Sequence, residues 1–335
     1  MIYINAVGIS SGGGLKLLEF LLTQLDSNKK YHIFFDSRLS EFSFEHSNLT
    51  SEMVIGKVCN RFKFERSLSK RIRSEDTLFC FNNLPPLFKN KGRTIVYLQN
   101  RQIVEPFIQE GLSFRGRVRL ILNWLILNWG SRHVNEFYVQ TPTMKRLLGV
   151  KRNVTIIPFL PKMPYLRHTK ERPSAGESFI FFYPSEGHPH KNHERLVKAW
   201  ALMKEKGETP ILKLTLNQGE LPQNVESEIR NKSLNIKYLG NLEYNEVFEE
   251  YLSSDALIFP SLCESFGLPL LEAQHIGCPI IASDLSYVKD VVKSVAFFNP
   301  LDSRSISTEV VRFMSTGQKI VPKINFIPEN IMKAL

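Results

Sequence analysis

The pattern of apolar and polar positions along this 335-residue chain indicates strands that alternate with helices. Short apolar runs, typical of strands covered on both faces, are separated by longer runs with helical periodicity. The predicted strands of the first half are residues 2–7, 32–35, 77–81, 94–98 and 136–140. Those of the second half are residues 179–183, 212–216, 236–239, 256–259, 279–282 and 295–298. Strands that alternate with helices predict mostly parallel sheets with helices on both faces.

A proline-rich break separates the two halves. Three prolines lie between residues 158 and 164, and a polar segment with further turn-forming residues follows them. We therefore predict a first doubly wound, Rossmann-like domain at residues 1–160, a linker at 161–176, and a second such domain at 177–300. Residues 301–335 are expected to form closing helices that pack back toward the first domain.

Composition narrows the class of protein. With 43% hydrophobic and 23% charged residues the chain has the composition of a typical globular protein, which excludes collagen-like, disordered and coiled-coil proteins. The net charge of +10 suggests an anionic partner. Four cysteines without zinc-site spacing are typical of a reducing compartment. We expect no secretory signal, and the longest apolar run, residues 120–129, is half of the roughly 20 residues that a spanning helix needs. We expect a soluble or peripheral protein.

The most informative segment follows the predicted strand 256–259. Gly267 permits a close backbone approach, and the proline two residues later suits the first turn of a helix. The amides of residues 265–268 would therefore point at whatever lies above that helix, which favours an anion. Glu264 and Glu272 flank this position. Amides for a phosphate, together with carboxylates for hydroxyl groups, predict a sugar nucleotide as the ligand.

This segment resembles the E-x7-E signature of retaining glycosyltransferases of the GT-B fold, in the large family-four (group 1) type. A Pro-Ser turn precedes Glu264, Phe-Gly-Leu-Pro lies between the two glutamates, and Gly-Cys-Pro-Ile-Ile-Ala-Ser follows Glu272. The similarity covers most of residues 179–298. It implies two Rossmann-like domains facing a cleft, with Glu264 as the catalytic residue at the transferred sugar and Glu272 at the nucleotide ribose. A capped turn that carries two surface acids is the structural alternative.

The resemblance also implies which residues bind the donor and that no metal is needed. Asp-x-Asp, the metal-binding motif of the other glycosyltransferase fold, does not occur in the chain, so we predict neither a metal nor a cofactor. The predicted donor-binding residues are Lys191, Glu272, Ser265, Phe266, Gly267, Leu268, His190, Gly240 and Leu242.

A second cluster follows the predicted strand 179–183. The family places an arginine in this loop and a lysine five residues later; Lys191 matches the lysine, whereas Glu186 stands at the arginine position. Lys191 is predicted to neutralise the donor diphosphate. Either another cation replaces the arginine, with Arg101, His188 and His190 as candidates, or phosphate binding is weaker than is usual in the family. The three histidines of the loop could form a metal site, but nothing at ligand spacing completes it.

In the first half, the resemblance is weaker. Gly13 and Gly14 follow the first strand, where the family has a glycine-rich loop, although a simple tight turn explains them equally well. Asn100 and Arg101 follow the predicted strand 94–98, at the strand's carboxyl end. These four residues are positional candidates for the cleft.

Basic segments bear on the partner. Residues 57–73 contain seven cations and one acid, and residues 114–133 combine arginines with an apolar run that holds two tryptophans. Cations beside such a helix suit an anionic membrane surface. The alternatives are a solvated basic face and, for residues 120–129, burial in the core. No nucleic-acid-binding module is recognisable, so we predict no nucleic acid partner.

Together these observations predict a retaining, metal-independent glycosyltransferase of hexosyltransferase type. The donor would be a UDP- or GDP-sugar, and the acceptor a glycan, expected to be lipid-linked, in the biosynthesis of a surface polysaccharide such as O-antigen or capsule. The enzyme would lie in the cytoplasm, on the inner face of the membrane. The alternatives are a catalytically silent GT-B partner subunit, suggested by Glu186, and another GT-B-like enzyme such as an epimerase or phosphorylase.

Overall fold

The chain forms two compact units, each with its own parallel sheet. The computed structural model describes residues 1–10, 12–40, 44–56, 58–106, 112–149, 152–160, 163–171, 173–174, 177–293, 296–316, 323–324 and 331–333. The first unit comprises Met1–Ile108, Leu112–Lys162 and Ile327–Leu335, and the second comprises Gln109–Gly111 and Met163–Phe326.

In the first unit, the described strands form a seven-stranded sheet. The strands are β1 Ile2–Asn5, β2 Tyr31–Asp36, β3 Leu49–Val54, β4 Thr77–Cys80, β5 Arg93–Leu98, β6 Glu136–Val139 and β7 Val154–Ile156. The helices are α1 Gly12–Thr23, α2 Val58–Arg71, α3 Arg101–Val104, α4 Phe114–Gly130 and α5 Pro142–Leu148. The strand order is β3-β2-β1-β4-β5-β6-β7, and every pair is parallel. Helices cover both faces, as doubly wound sheets require.

Two apolar layers hold the first sheet. Alternate residues of its strands point to opposite faces, so Ile4 and Ile33 join one layer while Val96 and Leu98 join the other. The leucines of α1 cover the first layer, and α2, α4 and α5 cover the second. Ile331, in a short 3-10 helix near the C-terminus, is fully buried in the first layer.

In the second unit, the described strands form a six-stranded parallel sheet and a small antiparallel ribbon. The strands are β8 Ile180–Tyr183, β9 Ile211–Leu214, β10 Ile236–Tyr238, β11 Ala256–Phe259, β12 Ile280–Ser283, β13 Val292–Lys293, β14 Ala296–Phe298 and β15 Lys323–Ile324. The helices are α6 His193–Lys204, α7 Gln223–Asn231, α8 Tyr244–Ser253, α9 Leu268–Ile276, α10 Ser286–Val291 and α11 Ser303–Thr316. The sheet order is β10-β9-β8-β11-β12-β14, and β13 pairs with β15. The prediction of two doubly wound α/β domains is confirmed.

Three sequence predictions differ from the structure. Strands β3 and β7 were not predicted: both are edge strands, β3 has mostly exposed residues without an apolar run, and β7 is only three residues long. The C-terminal segment was expected to pack toward the first domain, and only part of it does so: α11 packs on α6 within the second unit, whereas Ile331 is buried in the core of the first unit. Burial of all of residues 120–129 is also wrong, because Leu122 and Leu125 are half exposed.

In the described part of the chain, no helix combines the length and the apolar character that crossing a membrane would require.

Candidate functional site

The loop after β8 places Lys191 at the carboxyl edge of the second sheet. Pro189–Lys191 forms one turn of 3-10 helix, and Asn192 then adopts a left-handed conformation (φ 64°, ψ 30°) that redirects the chain into α6. Asparagine tolerates this conformation better than most residues. The buried Asn192 amide donates to the carbonyl oxygens of Pro260 (3.0 Å) and Pro300 (2.8 Å), which fixes the loop against the end of β11.

The loop after β11 is fastened to the Lys191 loop by backbone and hydroxyl groups. The amide of Leu262 donates to the carbonyl oxygen of His190 at 2.8 Å. The carbonyl oxygen of the buried Ser261 accepts a hydrogen bond from the Tyr287 hydroxyl at 2.7 Å. The first bond joins the two loops and the second fastens the loop after β11 to α10, so the polar residues of the two loops lie side by side.

Lys191 and Glu264 form an ion pair across these loops. The Lys191 Nζ lies 2.6 Å from Glu264 Oε1, and the Ser261 hydroxyl donates to the same oxygen at 2.7 Å. The two charged side chains are 16% and 15% exposed, so the pair is sheltered but open to a ligand. Burial raises the pKa of Glu264, but the charge of Lys191 and the hydrogen bonds from Lys191 and Ser261 outweigh burial and leave this pKa below its usual range. Glu264 is therefore ionised at neutral pH.

Helix α9 begins beside this pair without a side-chain cap. Gly267 occupies the cap position with φ 78°, where a Cβ would lie 3.1 Å from Leu270 Cδ1 and a side chain would strain the backbone. Because glycine has no side chain, the positive end of α9 is left for a backbone or ligand partner. The Phe266 side chain is buried, so only its backbone could meet a ligand; Ser265 and Leu268 are half-buried.

Glu272 lies on the buried side of α9. It is 7% exposed, and its Oε2 accepts a hydrogen bond from the Tyr251 hydroxyl of α8 at 2.9 Å. Burial raises the pKa of Glu272 to about 7, although the Tyr251 hydrogen bond opposes the shift. The nearby Tyr244 hydroxyl is buried and has no hydrogen-bond partner within the described residues. Glu272 and Tyr244 thus present polar groups that a ligand's hydroxyls could satisfy.

Gly240 and Leu242 lie between β10 and α8. Gly240 has φ 70°, and its amide donates to the carbonyl oxygen of Leu216 at 3.0 Å. Leu242 is half-buried, two residues before α8 begins at Tyr244. The segment therefore leads directly into the helix that supplies Tyr244 and Tyr251.

The histidines do not provide the missing cation. Burial lowers the pKa of His190 to about 4 and that of His193 to about 3, so both are neutral at pH 7. His193 is buried, and its Nε2 lies 2.9 Å from the Ser185 hydroxyl. His188 is exposed and lies 2.9 Å from a Glu186 oxygen. Without a ligand His190 is therefore uncharged, which argues against His190 as the missing cation.

The first-unit candidates make local contacts. Gly13 and Gly14 lie in the first turn of α1, so the expected glycine loop is helical; the helix begins at Gly12 rather than at the first apolar residue. The Asn100 side chain caps α3 by accepting from the Gln102 amide at 2.9 Å. The Arg101 guanidinium lies 2.7 Å from Glu105, so its charge is already paired.

The structure brings Lys191 and Glu264 into direct contact, although 73 positions separate them. Sequence reasoning missed three residues that shape this region. Ser261 had been noted only as part of a turn, and Tyr244 and Tyr251 are aromatic residues of an amphipathic helix. No sequence signal distinguishes a tyrosine that faces a carboxylate from one that only fills the core.

Comparison with known proteins gives a partial match in sequence. Residues 166–317 match the family model described as "Glycosyl transferases group 1". A segment of 82 residues is 33% identical to the O-antigen chain mannosyltransferase RfbU of Salmonella typhimurium and covers 24% of this chain and 22% of that protein. A segment of 128 residues is 31% identical to the serotype-specific mannosyltransferase WbdA of Escherichia coli and covers 37% and 16%. The chain thus spans about a fifth of the length of these curated relatives.

Solved structures match almost the whole chain. The sucrose-phosphate synthase of Thermosynechococcus elongatus aligns with a TM-score of 0.74 at 14% identity, over 95% of this chain and 90% of that one. Anabaena Alr3699/HepE in complex with UDP-glucose aligns with a TM-score of 0.66 at 14% identity, over 96% and 92%. Identities this low show the fold alone. The chain therefore has the GT-B fold, and its residues 166–317, which contain the Lys191–Glu264 pair, are similar to group 1 glycosyltransferases.

Proposed function

We propose that this protein transfers a sugar from a nucleotide-sugar donor to a glycan acceptor in polysaccharide biosynthesis, with retention of anomeric configuration. The observation that carries the proposal is the sheltered Lys191–Glu264 pair beside the uncapped start of α9. A cation and helix amides suit a diphosphate, and a carboxylate suits the hydroxyls of a sugar. The sequence match over residues 166–317 and the relatives named as mannosyltransferases support the same reaction class.

Each site residue has a role in this proposal. The diphosphate binds Lys191 and the amides of residues 265–268, where positive charge also stabilises the leaving phosphate. Glu264 accepts hydrogen bonds from the transferred sugar, and Glu272 accepts them from the ribose. The leaving phosphate assists the incoming hydroxyl on the same face of the sugar, which retains the configuration. Because Lys191 supplies the counter-charge and the sequence has no Asp-x-Asp, the proposal includes no metal.

The acceptor and location extend the proposal. Relatives named for the O-antigen chain support a surface polysaccharide, and the net charge of +10 suits work at an anionic membrane. We therefore propose a lipid-linked glycan acceptor and a peripheral position on the inner face of the cytoplasmic membrane.

A donor screen tests the proposed reaction. UDP-glucose, which occupies the Anabaena structure, and GDP-mannose, suggested by the mannosyltransferase relatives, are the first donors to compare. A donor present at 100 times its Kd should stabilise the protein by about 2.7 kcal/mol, which thermal unfolding detects. The binding donor should then be hydrolysed slowly, or transferred to a glycan acceptor, equally fast with and without EDTA. The absence of binding by every nucleotide-sugar would overturn the proposal.

Lys191→Ala should weaken binding of the nucleoside diphosphate by about ten- to a hundredfold, as loss of a charged hydrogen-bonding partner implies. The loss should be greater at low salt, because ions screen the interaction. The matched control is Lys198→Ala, which removes the same charge from an exposed pair with Glu194 on α6. Calorimetric titration of the free nucleotide measures both. Equal affinity in the Lys191 variant and the control would remove Lys191 from the site.

A catalytically silent partner subunit is the second candidate, and one observation favours it. Glu186 stands where the family has an arginine, so an anion replaces a cation at this position. Its exposed carboxylate lies beside His188, which carries a charge only when it is protonated. Such a subunit would bind the nucleotide-sugar without turnover. Donor binding without hydrolysis or transfer would favour this candidate over the enzyme.

A further inference from the structure

Helix α4 carries an apolar stripe on its outer face. Its exposed large apolar side chains are between 39% and 82% exposed: Phe114, Val118, Leu122, Leu125 and Trp129. At about 100° per residue these five positions fall within about 80° of the helix circumference. The opposite side of the helix carries Leu120 and Leu127, which are both buried, and Leu127 belongs to the second apolar layer of the first sheet. The helix is therefore anchored by one side and presents a continuous apolar stripe on the other.

Arginines border this stripe on both sides. By the same geometry Arg115 and Arg119 lie along one edge and Arg117 along the other, and all three are exposed. Beyond the helix, the Arg132 guanidinium lies 4.0 Å from the centre of the Trp129 ring. Residues 114–133 contain no acidic residue. An apolar stripe with Trp, Phe and Leu, edged by cations, matches the requirements of a helix that lies in the surface of an anionic bilayer.

We propose that the apolar stripe of α4 inserts into the surface of an anionic lipid bilayer and that its bordering arginines bind the lipid headgroups. The proposal rests on the membrane-presented acceptor proposed above, and it names the surface that would reach the membrane. Charge favours lipid over a second copy of the chain, because a symmetric contact through this stripe would bring the arginines of both copies together. Anionic headgroups neutralise those arginines instead.

The stripe is a better membrane contact than the basic segment of α2. In the described part of residues 57–73, Arg61 pairs with Glu65 at 2.6 Å and Arg71 pairs with Glu52 at 2.9 Å. Two of the segment's cations are therefore already paired with carboxylates of the protein. Lys63 and Arg66 are exposed and could add a long-range attraction, but among the α2 side chains that the structure describes only Phe62 is large, apolar and exposed.

Vesicle sedimentation tests the proposal without donor or acceptor. We expect the purified chain to sediment with vesicles that contain phosphatidylglycerol and not with pure phosphatidylcholine. The double variant Leu122→Ser/Leu125→Ser should bind about thirtyfold more weakly, because two leucines no longer leave water. Replacing Arg115, Arg117 and Arg119 by glutamine should weaken binding about a hundredfold, about fivefold for each cation. The control Leu301→Ser alters an equally exposed leucine of the second unit and should bind as wild type.

Tryptophan fluorescence gives a second readout that does not depend on affinity. Of the three tryptophans, Trp129 lies on the stripe and is 47% exposed, Trp124 is half-buried on the flank of α4, and Trp200 is buried in the second unit. Most of the blue shift on vesicle addition should therefore disappear in Trp129→Phe. All of the replaced side chains are exposed, so the variants should fold.

Three results would overturn the proposal. The first is that the wild type does not bind anionic vesicles at low salt, and the second is that the stripe variants bind like the wild type. The third is that the wild type is a dimer that binds no vesicles and that the stripe variants are monomers. Sugar transfer to a soluble acceptor should persist in every stripe variant. A variant that loses vesicle binding but still transfers sugar therefore tests only the role of the stripe. A wild type that transfers no sugar contradicts only the proposed reaction.

Discussion

Glu264→Gln should reduce turnover by about a hundred- to a thousandfold, the usual cost of removing one charged group from a transition state. Affinity for the free nucleoside diphosphate should stay unchanged or rise. The reason is the 2.6 Å contact with Lys191: the Glu264 carboxylate competes with the diphosphate for this cation and repels the incoming anion. An amide removes both effects while keeping the acceptor for the Ser261 hydroxyl.

The Glu264 experiment needs a rate assay and a calorimetric titration on the same variant. The control is Glu194→Gln, an exposed glutamate of α6 that pairs with Lys198 and should leave both quantities unchanged. If Glu264→Gln loses nucleotide affinity while Glu272→Gln keeps it, the two roles are reversed. If both variants turn over like the wild type, the E-x7-E interpretation has failed.

Glu272→Gln should weaken nucleotide binding and at the same time stabilise the unliganded protein. Loss of a charged acceptor for the ribose hydroxyls should cost about ten- to a hundredfold in affinity. The effect on stability follows from the pKa of about 7 in the folded protein, against about 4.5 for an exposed glutamate. Between these pH values the folded state retains a proton that the unfolded state has released, so stability falls as pH rises from about 4.5 to about 7.

The amide of the Glu272→Gln variant avoids this loss. At pH 8 the variant should therefore be more stable than the wild type by up to about 3 kcal/mol, and at pH 4 the two should be alike. Urea unfolding at both pH values measures the difference. The control is Glu65→Gln, another buried glutamate, whose partner is Arg61 at 2.6 Å rather than a tyrosine; it should lose stability and leave nucleotide affinity unchanged. A Glu272 variant without a pH-dependent gain would show that the carboxyl is not desolvated.

The fold class could be predicted from the sequence because strands buried on both faces and amphipathic helices leave different periodicities. The exceptions follow from the same reasoning. Strand β3 lies at the sheet edge, where polar residues are tolerated, and so it carries no apolar run. Helix α4 is apolar on most of its circumference, so the sequence could not show which side faces the core. Burial of Leu120 and Leu127 decided that side and left Leu122 exposed.

At the candidate site, too, the sequence predicted local features, whereas the contacts between distant residues appeared only in the structure. Gly267, the proline after it and the Glu264 loop are local features, and local backbone preferences made them readable in the sequence. By contrast, the contact of Lys191 with Glu264 spans 73 positions, and that of Tyr251 with Glu272 spans 21. The sequence thus determined the elements and the residue types at their ends. Only the tertiary structure decided that Glu264 is paired with a cation and ionised, whereas Glu272 is desolvated and protonated more readily. The reason is that burial and long-range contacts control ionisation.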